Sequence, residues 1–422
     1  MRARRAAPTS LDVIRCSPTR KAWKPHATKR STSAREWTPL DAFPEPLHTI
    51  FTTSLERSER LLAAPFKGLT TDGNVTPGLF PVEKTGLSLQ PVVDAARRFR
   101  DALSADERKT ASFDLDSDAW RKWHNMHVCF YRHGVCLFDL NYAQRNAALE
   151  VVRATLSAAG FENVRNVMKL NEHVAEISGR TEEFNEWYYY MSIFGEPSET
   201  EPWGWQFDGH HQIINAFVLG DQLVLTPHFS GSEPVVAKSG KYAGTRVFDE
   251  ERDAGFALMK ALTPEQQDVA RIGPAVPREV FTIAQIDNLV LPYAGIRWDA
   301  LTASQRDLLL AVIGVYVGRM RPGHDAIRMD EVRAHLDDTY FAWMGACDDT
   351  SPFYYRVHSP VIFIEFDHLP GIAFDNPEPT RAHVHTIVRT PNGNDYGRDL
   401  LRQHYLEHDH AHPESPHRRS HG

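Results

Sequence analysis

Residues 203–218, Trp203-Gly-Trp-Gln-Phe-Asp-Gly-His-His-Gln-Ile-Ile-Asn-Ala-Phe-Val218, decide the fold class. Aromatic and branched residues dominate them, glycine punctuates them, and no 3.6-residue apolar spacing runs through them, so they read as strand. Outward from this stretch, Trp187–Phe194 reads as a strand before it and Ile213–Leu219 as one within it. Gly220-Asp221, between AFVL and QLVLTP, is a hairpin turn that should pair its flanking strands antiparallel. Phe353–Val357, Val361–Phe366 and His383–Arg389 read as later strands.

Upstream the pattern is helical. Leu47–Ala64 carries a helical period and is followed by the loop TTDGNVTPGLFP. Val93, Ala96, Phe99 and Leu103 then share one helical face. Tyr142–Ala159 and Phe161–Ile177 read as a helix pair joined at Gly160. Further helices are expected over Asp249–Leu262, Thr302–Val317, Asp330–Met344 and Tyr396–Tyr405. The expected fold class is α+β: a helical N-terminal half packed on a mainly antiparallel β-sheet, or partial barrel, formed by the C-terminal half. The expected organisation is a basic, disordered tail over 1–36, a single globular domain over 37–406 and a histidine-rich, disordered tail over 407–422.

Composition narrows the function classes. The net charge is −8, and the first 36 residues alone hold ten Lys or Arg against two acids, which leaves −16 on the rest. That balance argues against a nucleic-acid groove in the folded part. The basic start suits a solvated tail, a transit segment or a mis-assigned start. Four cysteines without a CxxC pair suggest a reducing compartment. No apolar run is long enough to span a membrane, so a soluble, cytoplasmic protein is expected. Dinucleotide, P-loop, serine-hydrolase and HExxH motifs are absent from the sequence.

Histidine is abundant, 21 in 422 residues, and two groups of it carry the chemistry. On a strand, His383 and His385 point the same way with Val384 opposite, which is a chelating arrangement for zinc, iron, manganese or copper. In the opening stretch, counting by twos puts His211 with Trp205, Phe207, Ile213 and Phe217, and His210 with Gln206, Asp208 and Gln212. On that count His211 is favoured as ligand and His210 as its support, and a bulge at Gly209 would overturn the count. Glu365 sits in the apolar run Val361–Phe366, where a carboxylate needs either a cation or an arginine such as Arg356 or Arg389. Asp367 shares its face and is the reserve ligand. Asp208, Glu365 and Asp367 are the candidate general bases for a metal-bound water.

The segments WGWQFDGHHQIINAFV, PHFSGSEP, IFIEFDH and HVHTIVRTPNGNDYG, in that order, resemble an uncharacterised family, domain of unknown function 3500. The resemblance maps the family's GHH, acidic-strand and HxH elements onto Gly209-His210-His211, Glu365 and His383-Val384-His385, and brings no reaction with it. Cupin-like sites also use HxH, but their motif continues to a nearby glutamate, whereas Thr-Ile-Val-Arg follows His385 here. Two functions are expected to compete. One is a mononuclear metal enzyme, hydrolytic or oxidative, that binds a divalent transition metal through His383, His385, His211 or His210 and Glu365 and acts on a small organic substrate. The other is a metal-free binding module with an aromatic-lined pocket.

Overall fold

The computed structural model describes residues 40–408 apart from Pro44, Pro46 and Asp375. The expected basic tail, 1–36, and all of the expected histidine-rich tail beyond His408 lie outside the described residues. The described residues divide into two units, one ending at Ser54 and one beginning at Leu55. In the first, Phe43 and Phe51 meet edge to face at 5.0 Å. The second contains the sheet.

Eight strands of five or more residues build that sheet: β1 Tyr189–Phe194, β2 Trp203–Gly209, β3 Gln212–Leu219, β4 His228–Ser232, β5 Tyr340–Gly345, β6 Phe353–His358, β7 Phe363–His368 and β8 Val384–Arg389. Their spatial order is β1-β2-β3-β4-β8-β7-β6-β5, every neighbouring pair is antiparallel, and the sheet does not close on itself. Short strands at the margins include two parallel partners, Ser112–Phe113 on β1 and Arg271–Gly273 on β5. The fold is therefore α+β, with the early chain mainly helical and the long strands gathered after Trp187. The Gly220-Asp221 turn does join antiparallel strands, pairing Leu219 with Gln222.

The two faces of the sheet differ in kind. One carries Trp205, Phe207, Ile214, Ile364, Phe366 and Trp343, and belongs to a core shared with the helices Gln90–Ala102, Tyr142–Thr155, Ala158–Ser178, Asp249–Ala261 and Ala303–Val317. The other, the polar face, is also buried, but there polar and charged side chains sit among the apolar ones of a second, smaller core. Register sets out one row of it across the strands: Asp208, Ile213, Phe229, Ile387, Glu365, Arg356. Over this face lie Trp120, Trp123, Val280, Ala284 and Tyr396 from non-strand segments. Loops positioned by a rigid sheet are the usual setting for a functional site.

The structure corrects three readings. Asp330–Met344 is not one helix: a helix covers His324–Arg333, and Tyr340–Gly345 is β5, paired with β6. Phe341 and Trp343 alternate into the core, and cross-strand pairing overrides the helical spacing that the segment also permits. Gly160 is not the joint of the helix pair. The second helix starts at Ala158 with Ser157 as its cap, and Gly160 lies inside it, where a Cβ would stand 2.3 Å from the Arg319 carbonyl. Finally, His210 and His211 are the two central residues of a tight hairpin turn, with Gly209 facing Gln212 and His211 at φ 65°. Every pair across this hairpin joins an even position to an odd one. Trp205 and Phe207 thus share a face with Ile214 and Ala216, not with Ile213 and Phe217.

Candidate metal centre

The turn delivers His211 to the polar face by a route that strand parity does not describe. The His211 carbonyl accepts from Gly231 N–H at 2.7 Å, which prolongs the β3–β4 ladder by one position. Register then gives Gly231 opposite His385, His385 opposite Asp367, and Asp367 opposite Tyr354. His211 and His385 therefore flank a glycine on the strand between them. Their ring centroids are 5.1 Å apart, His383 lies 5.3 Å from His211 and 4.7 Å from His385, and one nitrogen of each ring lies within 4.8 Å of the others. All three are buried.

Gly231 makes room for this arrangement. A Cβ there would stand 2.7 Å from His385 Cδ2, 3.0 Å from His211 Cδ2 and 3.1 Å from the Val384 carbonyl, while its φ is not in the left-handed region, so the two rings are what must move furthest to admit alanine. Gly231→Ala is therefore expected to fold and to lower metal affinity about ten- to a hundredfold by tilting both rings. Competition with a chromophoric chelator measures this, and unchanged affinity would mean that no ion is held above Gly231.

Hydrogen bonds orient the other two rings. His383 Nδ1 lies 2.7 Å from the Pro370 carbonyl, which can only accept, so Nδ1 carries the hydrogen and donates. His385 Nδ1 lies 2.7 Å from Glu279 Oε1 and donates likewise. In the neutral forms, both Nε2 atoms are then bare lone pairs, yet they face one another at 3.1 Å. Either a proton sits on one of them or a cation sits between and beside them. Burial pushes the His383 and His211 imidazoles well below their ordinary range, toward the neutral form that ligates metals.

His210 turns away from this cluster. Its ring stacks on His211 at 3.8 Å, and its Nδ1 meets Asn171 Oδ1 at 2.7 Å. Beyond it, His127 pairs with Glu183 at 2.9 Å, and the same carboxylate takes Arg180, which with His127 pulls Glu183 down to about 2 against its burial. Glu233, level with His383, is held by the backbone N–H groups of Ile372, Ala373 and Phe374.

The three candidate carboxylates differ from one another. Glu365 meets neither a cation site nor an arginine. Its Oε1 accepts from Phe281 N–H at 2.8 Å and Tyr354 O–H at 2.8 Å, and its Oε2 from Thr282 N–H at 3.0 Å and Thr282 O–H at 2.6 Å. Burial raises its carboxyl, and these four donors oppose the rise. Glu365 thereby pins the segment that carries Glu279, and Arg389 pins it too through the Thr282 and Ala284 carbonyls. Asp367 has no partner for either oxygen and Asp208 none for Oδ1, and burial pushes both well above the carboxylate range, toward the protonated form.

Sequence reasoning missed Glu279, Gly231 and Asn171. Gly231 and Glu233 do lie inside the quoted PHFSGSEP, but Glu279 sits in a stretch with no pattern to mark it. Two cavities of about 440 and 590 Å³ lie elsewhere on the unit, the first lined by His228, His324 and Arg328, the second by Phe66, Arg121 and Arg398. Neither is lined by the triad. No helix among the described residues is long and apolar enough to cross a membrane.

A family model described as a protein of unknown function, DUF3500, matches residues 85–398, a span that holds β1 to β8 and all three histidines. No curated protein and no solved structure matches the chain.

Proposed function

The chain belongs to the DUF3500 family, and from that premise we propose that it is a metal-dependent enzyme whose mononuclear centre uses His211, His383 and His385 and acts on a small organic substrate. The observation that carries this reading is the pair of Nε2 atoms facing one another at 3.1 Å, both nitrogens oriented by acceptors on their far sides. A divalent ion would turn that repulsion into ligation. Three neutral imidazoles would leave a coordination position for water or substrate, as catalytic rather than structural ions require. Zinc, iron, manganese and copper all suit the donor set, and on zinc a bound water would approach neutrality in pKa. The reading leaves Glu365 out of the ligand set, because its oxygens are already occupied, and gives His210 the role of backing His211.

The competing reading is the metal-free module, in which a protonated His385 pairs with Glu279 and donates to His383. Elemental analysis of full-length protein purified without chelator separates the two, provided that a His383→Ala/His385→Ala chain is the subtracted reference for the histidines beyond His408. One equivalent of a transition metal lost between the two chains supports the centre. Equal metal content in both chains, with no difference on titration, sinks it. Glu279→Gln is expected to weaken the same binding about ten- to a hundredfold by removing the charged acceptor at His385 Nδ1. If affinity is unchanged, Glu279 does not orient a ligand.

A further inference from the structure

We infer that Arg356 is an anion-binding residue of this polar face, placed to hold the carboxylate of a small organic ligand. Arg356 lies on β6 opposite Glu365, on the same face as His385 and Asp367. It is 3% exposed, its Nε has no partner, and its guanidinium makes no hydrogen bond or ion pair among the described residues. Glu365, the acid across from it, is filled by Phe281, Thr282 and Tyr354.

Other buried arginines of this chain show how unusual that is. Arg121 makes a two-pronged contact with Asp287 at 2.7 and 2.9 Å, and Arg389 takes Asp395 at 2.8 Å together with the Thr282 and Ala284 carbonyls. A guanidinium cannot shed its charge to escape burial, so an interior one with no protein acceptor at its Nε is a place where an anion would be favourable. The neighbourhood is unsatisfied in the same way. Both oxygens of Asp367 and both ring nitrogens of His358, at 0% and 1% exposure, lack partners.

The chemistry favours a planar monoanion. One guanidinium fork matches the two oxygens of a carboxylate, and its single positive charge balances a monoanion but not a phosphate dianion. His358 is pushed down to about 3 by burial and by the Arg356 charge, so as a neutral ring it can still offer one N–H. The Tyr293 ring, 4.6 Å from His358, offers a surface for the organic remainder of the ligand. That the ligand is also the substrate rests on the metal-enzyme reading, since His385 and Asp367 are cross-strand neighbours on the face that Arg356 shares.

The test is calorimetric titration of the full chain, with and without zinc, using formate, acetate and benzoate, with acetamide and benzamide as neutral counterparts. Wild type is expected to bind at least one of the carboxylates at millimolar concentration or tighter and not its amide. Arg356→Met should lose that binding by at least about tenfold, Arg356→Lys by less, and both should keep the zinc content of wild type. Without ligand, Arg356→Met should also unfold at a higher temperature than wild type, because an uncompensated buried charge is replaced at similar volume. Carboxylate binding that is equal in Arg356→Met and wild type overturns the inference, as does a wild type that binds none of the three. An Arg356→Met that unfolds earlier than wild type overturns it as well, as a structural ion. Zinc binding lost with Arg356-dependent carboxylate binding intact would sink only the metal centre.

Discussion

Replacing His383 and His385 together by alanine is expected to abolish stoichiometric metal binding while leaving a folded chain. Both side chains end on the same face, and their outer nitrogens meet the Pro370 carbonyl, Glu279 and, at 3.7 Å from His383 Nδ1, Glu233, none of them a partner in the β8 ladder, so no strand pairing depends on them. β8 keeps its ladder to β4 and β7 through backbone groups. Without metal the double variant should lie within about 3 kcal/mol of wild type, since two buried rings and their hydrogen bonds to Pro370 and Glu279 are lost while the repulsion between the facing Nε2 atoms is relieved. The difference should appear when metal is added. An ion held a hundredfold above its Kd stabilises wild type by about 2.7 kcal/mol and the variant by nothing. Thermal unfolding with and without zinc reads both quantities. A variant that gains as much stability from zinc as wild type does would place the ion elsewhere and end the case for the triad.

Glu365→Gln is expected to act mainly on folding, not on the metal. In a ligand role, the glutamine would release metal at little cost in stability. The geometry argues the reverse, because the Phe281 and Thr282 amides point hydrogens at the carboxylate and the glutamine NH2 must face at least one of them. A buried donor left unpaired costs about 1–3 kcal/mol, and more when the acceptor was charged, so about 2–3 kcal/mol is the expected loss. Metal affinity per folded molecule should fall less, and only because the segment carrying Glu279 loosens. Denaturation and metal titration on the same preparation separate the two effects. Metal lost with full stability retained would restore Glu365 to the ligand set.

Much of the strand half was legible because its residues are aromatic or branched wherever they pack, and turn chemistry such as Gly220-Asp221 fixes its own register. His383 and His385 could be paired from sequence because period two is a local property of β8. His211 was favoured over His210 for a wrong reason: parity was counted through a turn that resets it. The failure at Asp330–Met344 has the same origin. Tyr340–Gly345 carries a spacing that suits a helix or a strand, and only its partner β6 decides between them.

By itself the sequence determined what is local: the α+β class, most helices and strands, and the side-by-side placement of His383 and His385, since propensity, capping and side-chain period act over a few residues. Only the tertiary structure decided which groups meet. It brought His211 beside His385 across Gly231, supplied Glu279 from an unmarked loop more than a hundred residues upstream of His385, and filled the oxygens of Glu365 while leaving those of Asp367 and the guanidinium of Arg356 unfilled. Such meetings follow from strand order and loop placement, and these are set by the burial of the whole sheet rather than by any short stretch of chain.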